Sequence, residues 1–218
     1  MLQAAVFDMD GLLVDSEPFW QRAQVEVFSS LGVQIEQKDT LQTMGLRIDQ
    51  VVEFWFGKQP WQGPDCAAVT EMIVVRVEEL VKEYKPMLPG VMEAIDACEQ
   101  LGLKIALASS SPMRLIKATL EALSLEEKFS AVLSAEHLRY GKPHPEVYIN
   151  AADELGVPPQ ACVAFEDSVN GLLAAKAAQM IGIAVPEKAY ANDARWAIAD
   201  HKLSSLHEVN KQLIAGIQ

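Results

Sequence analysis

Asp8 and Asp10 stand one residue apart in Phe7-Asp8-Met9-Asp10-Gly11, where a short apolar run starting at Leu2 comes to its end. A carboxylate in that position can attack phosphorus directly, splitting one difficult displacement into two easier ones. A second carboxyl beside it can protonate the leaving oxygen and then activate water. Gly11 lets the backbone turn sharply next to a bound phosphate. A solvated Asp-x-Asp turn uses the same residues, so this motif alone divides evenly between catalysis and a plain turn.

Three other segments carry groups suited to phosphate or metal. Ala108-Ser109-Ser110-Ser111-Pro112 puts hydroxyls and backbone N–H groups where a strand gives way to a helix. Phosphate oxygens bind well there, but a serine before proline is also an ordinary helix cap. Ser109 and Ser111 are candidates for different roles, one binding and one capping. Gly141-Lys142-Pro143-His144-Pro145 holds a lysine in a stiff loop, where its charge can offset phosphate and carboxylate together. His144, between prolines, reads as a packing or capping residue. Ala164-Phe165-Glu166-Asp167-Ser168 ends another apolar run in paired carboxylates, with Ser168 placed to cap the next helix. Mg²⁺ prefers oxygen ligands and keeps several waters, so carboxylates from two strand ends suit it. Each segment has a bland explanation singly. One shared site explains all four more economically.

The elements that would position these residues follow from periodicity. Apolar runs at Leu2–Asp8, Leu103–Ser109, Ala131–Ser134, Ala161–Glu166 and Ile181–Pro186 read as buried strands. Between them, Val91–Leu101, Met113–Leu123, Glu146–Leu155 and Val169–Ala178 carry apolar residues at helical spacing. This alternation predicts an α/β fold, a Rossmann-like parallel sheet covered on both faces. In such a sheet ligands bind beyond the strands' carboxyl ends. Residues 16–85 break the alternation and read as helical, near Pro18–Leu31, Ile48–Phe56 and Cys66–Tyr84, with a loop at Pro60–Pro64. The expected organisation is therefore a core of residues 1–15 and 86–218 and an inserted α-helical cap of residues 16–85. The hinges are expected near Val14–Pro18 and Lys85–Gly90.

The 218 residues suffice for one full domain and a modest second unit. A net charge of −12, with no clustered basic face, speaks against a nucleic-acid partner. No apolar stretch is long enough to span a bilayer and no signal peptide is evident, so a cytoplasmic location without membrane contact is expected. Cys66, Cys98 and Cys162 are widely spaced and read as packed, reduced thiols.

Taken together, the Asp-x-Asp-Gly turn, the serine strand end, the lysine loop, the Glu-Asp pair and the insertion after the first strand resemble the haloacid dehalogenase superfamily, specifically its phosphatases with a helical cap. The likeness covers essentially the whole chain. It implies Asp8 as nucleophile and Asp10 as acid and base. It further implies Mg²⁺ held by the Asp8 side chain, the Asp10 carbonyl and Asp167, with Glu166 close by. Ser109, the adjacent Ser110 and Lys142 would hold the transferring phosphate. Phe7 to Pro18, Gly45-Leu46-Arg47-Ile48-Asp49, Gln59-Pro60-Trp61 and Lys142-Pro143-His144-Pro145 are similar to a bacterial branch acting on hexitol phosphates and 2-deoxyglucose 6-phosphate. Gly141 stands where a serine is common.

The expected substrate is thus a small phosphate ester, and the expected state a monomer. Glu17, Trp20, Arg47, Trp55, Lys58 and Trp61 are cap candidates for touching the sugar, Arg47 first, with the tryptophans expected mainly to pack. A sugar-phosphate mutase is the nearest rival; the resemblance places a histidine in such enzymes where this chain has Trp20. Dehalogenation would lack a counterpart of Asp10. A phosphoacceptor signalling domain would need no cap.

Overall fold

The computed structural model describes residues 1–43 and 46–217. Its strands β1 (Ala4–Phe7), β2 (Lys104–Ser109), β3 (Ala131–Ser134), β4 (Cys162–Glu166), β5 (Ile181–Ala184) and β6 (His201–Lys202) make one sheet. The order is β3-β2-β1-β4-β5-β6 and every neighbouring pair is parallel. The helices are α1 (Glu17–Ser30), α2 (Gln37–Thr40), α3 (Ile48–Lys58), α4 (Cys66–Tyr84), α5 (Val91–Glu99), α6 (Met113–Leu123), α7 (Glu146–Leu155), α8 (Val169–Ala177) and α9 (Lys211–Gly216). The Rossmann-like α/β class expected from the alternating pattern is the one observed. β6, α2 and α9 are additions to that pattern.

Alternation along β1 explains the two layers. Ala5 and Phe7 face a core with Ile105, Leu107, Phe165, Ile95 and Leu120. Ala4 and Val6 face the other, with Ala106, Ala108, Ala164, Tyr148 and Ala174. The second face is lined largely by alanines, so α7 and α8 sit close to the sheet. Tyr148 of α7, wholly buried, can therefore reach the strand ends. Phe7 stacks on Phe165 of the neighbouring strand, ring centres 4.6 Å apart, which fixes the register on which Asp8 and Glu166 depend.

After β1 the chain turns tightly, with the N–H groups of Leu12, Leu13 and Val14 all donating to Met9 O. It leaves for the helices beside the segment on which it returns: Asp15 N donates to Pro86 O and Leu88 N to Leu13 O. Helices α1 to α4 lie between these crossings and share their own apolar core, including Phe28, Val52, Trp55, Ile73 and Val77. That core takes in Leu115 of α6, and Arg114 beside it pairs with Glu71 and Glu78 of α4. The helical unit therefore rests on α6 as well as on its two connections. All three cysteines are free thiols. Among the described residues, no helix is long and apolar enough to cross a membrane.

Candidate active site

β1, β2 and β4 are neighbours, so Asp8, Ser109 and Glu166 emerge side by side at their carboxyl ends. Phe7 and Met9 point into the core, leaving Asp8 and Asp10 on the open side. The loop carrying Lys142, before α7, folds under this edge. Its Nζ lies 2.7 Å from Asp8 Oδ1, 2.6 Å from Glu166 Oε1 and 2.9 Å from Ala108 O, with the side chain only 6% exposed. The three ammonium hydrogens are thus matched by two carboxylates and a carbonyl. Glu166 is wholly buried and also accepts from Tyr148 (2.5 Å) and from the Ser168 N–H and hydroxyl. Its oxygens are occupied by protein donors.

Burial is the main reason the Asp8 pKa is pushed up to about 7; Lys142 pulls it down, and Glu166 and Asp10 push it up. Asp167 is also held well above the ordinary carboxylate range, by burial first and then by Asp8 and Glu166. For Lys142, burial opposes the charge, but Asp8 and Glu166 more than offset it and hold the ammonium above its usual pKa. Oxygens of Asp8, Glu166 and Asp167 lie within 4.8 Å of one another. One lysine among this many carboxylates leaves an excess of negative charge that a hard cation would balance.

Two glycines are required by this crowding. Gly11 has φ +77°, and a Cβ there would come within 2.1 Å of Asp167 Oδ2. At Gly171 in α8 a Cβ would lie 1.8 Å from Glu166 Oε1. Ser168 caps α8, accepting from Gly171 N at 3.0 Å.

Asp10 is held through both oxygens. Oδ1 accepts from Ser16 Oγ (2.6 Å) and Trp20 Nε1 (3.2 Å), and Oδ2 from Ser111 Oγ (2.7 Å) and Ser109 Oγ (3.4 Å). The capping role considered for Ser111 is not observed: its hydroxyl turns to Asp10, and Glu136 takes the α6 Met113 N–H instead. Trp20 does more than pack, since its indole N–H reaches across from the helical unit to Asp10. Ser16, Trp20, Ser111 and Tyr148 all touch the carboxylates, and the sequence motifs pointed to none of them for that purpose.

A cavity of about 670 Å³ opens above these groups, lined by Asp8, Asp10, Ser109, Ser110, Lys142 and Asp167 on one side and by helical-unit residues on the other. Glu17, Trp20 and Arg47 line it; Trp55 and Trp61 are instead buried in the helical core, and Lys58 lies over the Phe54 ring. Arg47 grips Asp49 through Nε and Nη2 (2.7 and 2.6 Å) and reaches Ala135 O and Leu138 O beyond β3 through Nη1. Two of these four hydrogen bonds hold the guanidinium to α3 and two join it to the sheet unit. Gly45, which precedes it in the motif, lies outside the described residues. His144 is exposed, 3.6 Å from Glu146.

Residues 2–179 match the model of the haloacid dehalogenase-like hydrolases. The chain belongs to that family. This hydrolase is 50% identical over 214 residues to hexitol phosphatase B of Escherichia coli (strain K12), covering 98% of this chain and 96% of the relative. It is 34% identical over 181 residues to a phosphorylated carbohydrates phosphatase of Thermotoga maritima, covering 81% and 82%. Among solved structures, CbbY of Rhodobacter sphaeroides in complex with xylulose-(1,5)-bisphosphate superposes with a TM-score of 0.82 at 30% identity, covering 95% of this hydrolase and 96% of that chain.

Proposed function

We propose that this hydrolase is a Mg²⁺-dependent phosphatase of sugar and sugar-alcohol phosphates, working through a phosphoryl group carried on Asp8. The observation that carries this reading is the buried Asp8–Lys142–Glu166 array at the floor of a cavity that Asp10, Asp167 and Ser109 also face. The names of the relatives at 50% and 34% identity support the substrate class.

In the first step an Asp8 oxygen bonds to phosphorus as the P–O bond to the sugar breaks. Asp10 delivers its proton to the departing alkoxide. Asp10 then takes a proton from water, whose oxygen attacks phosphorus and frees Asp8 and inorganic phosphate. Lys142, pinned to Asp8, offsets the charge of the incoming phosphate oxygens, and the Ser109 and Ser110 region supplies further donors. Glu166 orients Lys142. Tyr148, which donates to Glu166, keeps that carboxylate in place.

The crowded oxygen-only donors fit a divalent cation, with Asp8, Asp167 and the Asp10 carbonyl as its ligands and Glu166 as their neighbour. Mg²⁺ bound there would keep Asp8 ionised and neutralise part of the substrate's charge. Residues 1–15 and 86–218 would act as the catalytic core and residues 16–85 as a cap that screens the site from water. Ser16 and Trp20 link cap position to Asp10 orientation. For Arg47, joining the cap to the core is the role its hydrogen bonds favour over direct substrate contact.

The test is phosphate release from a panel of hexose, hexitol and pentose phosphates, with Mg²⁺ and with chelator. Rapid release from sugar or hexitol phosphates that chelator abolishes is expected. Failure on every sugar phosphate, alongside rapid cleavage of another ester class, would refute the substrate assignment. Isomerised sugar phosphate without free phosphate would refute hydrolysis.

A further inference from the structure

Among the described residues, three buried side-chain atoms lack a hydrogen-bond partner: Gln24 Oε1, Trp55 Nε1 and Thr119 Oγ1. Trp55 and Thr119 do not line the cavity; Gln24 does. A buried amide oxygen without a partner costs stability, and because Gln24 belongs to the cavity lining, turning its amide toward the cavity would let a ligand complete it. Gln24 is 7% exposed and sits in the middle of α1.

The placement of Gln24 suits the remote part of a substrate. Glu17, Trp20 and Gln24 fall at i, i+3 and i+7 on α1, one face of the helix, and all three line the cavity. Trp20 touches Asp10, at the reacting end. Gln24 lies four residues, about 6 Å, farther from the hinge. Thr40 and Thr43 also line the cavity, each 3% exposed. Their hydroxyls donate to Gln37 O and Thr40 O, so toward the cavity both can act only as acceptors. These three lining residues are uncharged and offer acceptors, and the Gln24 amide makes no hydrogen bond within the described residues. That is the complement of a hydroxyl, which both donates and accepts.

We propose that Gln24, together with Thr40 and Thr43 of the same cavity lining, forms a subsite for hydroxyl groups on the carbon chain of the substrate. It thereby selects polyhydroxylated phosphate esters over plain ones. This inference rests on the sugar-phosphatase reading and deepens it. Gln24 binds and takes no part in the chemical steps. The selectivity comes from hydrogen bonds that a plain alkyl chain cannot return to the amide.

The test compares kcat/KM for a hexitol phosphate with that for n-propyl phosphate, in wild type and in Gln24→Leu and Gln24→Met, with Mg²⁺ present. The ratio is expected to favour the hexitol ester in the wild type and to fall about tenfold in both variants, the loss of one or two neutral hydrogen bonds. Most of the change should be in KM. Thermal melting should be unchanged or raised, because the variants remove a buried group without a partner. Gln24→Met, unbranched and of the same length, guards against a packing fault in Gln24→Leu. An unmoved ratio in variants that melt normally would overturn the subsite alone. A wild type with no preference between the two esters would overturn both the subsite and the sugar-phosphatase reading.

Discussion

Lys142 is the only cation in contact with Asp8 and Glu166 among the described residues, and its removal has a calculable signature in pH. Lys142→Met keeps the stem and deletes the ammonium, leaving the carboxylates facing one another. Asp8 then has less reason to ionise than in the wild type, where burial already puts its pKa at about 7. A carboxyl whose folded pKa is raised binds its proton more tightly folded than unfolded. Its stabilising contribution is full below the ordinary value near 4 and is lost as pH rises through the folded pKa. For the wild type without divalent metal, Asp8 alone should cost about 1 kcal/mol as pH rises from 6 to 8.5. In Lys142→Met the folded pKa rises further, so the loss from Asp8 grows toward the limit set by one proton, about 3 kcal/mol over the same window. The difference, up to about 2 kcal/mol from Asp8, reports the lost ammonium, and Glu166 and Asp167, which lose the same charge, change in the same direction. Urea unfolding in chelator at the two pH values measures it. Equal pH dependence in the two proteins would refute the electrostatic account of Lys142, as would a variant that gains stability at high pH.

Gly171→Ala pits propensity against packing. Alanine in a helix should gain about 1 kcal/mol, but a Cβ 1.8 Å from Glu166 Oε1 must displace the carboxylate that holds Lys142. Net destabilisation of about 1–3 kcal/mol is expected in thermal unfolding, with a loss of kcat; a variant more stable than wild type would contradict the placement of Glu166. Arg47→Ala should release the α3 end of the helical unit from Ala135 O and Leu138 O. Faster amide exchange in α3 and a higher KM are expected, and unchanged exchange there would show that Arg47 is no latch.

The parts that were readable in the sequence are those set by local pattern. α4, α6, α7 and β3 begin and end where periodicity and turn residues place them, because each buries a regular apolar stripe. β6 escaped because His201–Lys202 is two exposed polar residues, joined to the sheet only by pairing with β5. α2 and α9, at four and six residues, are too short for a period to show. The carboxylates, Lys142 and Ser109 were legible because they sit where apolar runs end or turn residues cluster. Tyr148 was not, since within α7 it reads only as part of an apolar face. Ser16, Trp20 and Ser111 converge on Asp10 from separate segments, and nothing local in each encodes that meeting. Gln24 is one polar residue within α1, and nothing local to it encodes its burial at the cavity wall.

The central claim is that the phosphoryl group passes through Asp8. A single-turnover reaction with a labelled hexitol phosphate and Mg²⁺, quenched in acid within the first turnover and digested, locates that group on the chain. Label on the N-terminal peptide at Asp8, absent together with turnover in Asp8→Asn, is the predicted result. Label on any other residue, or full turnover by Asp8→Asn, would contradict it.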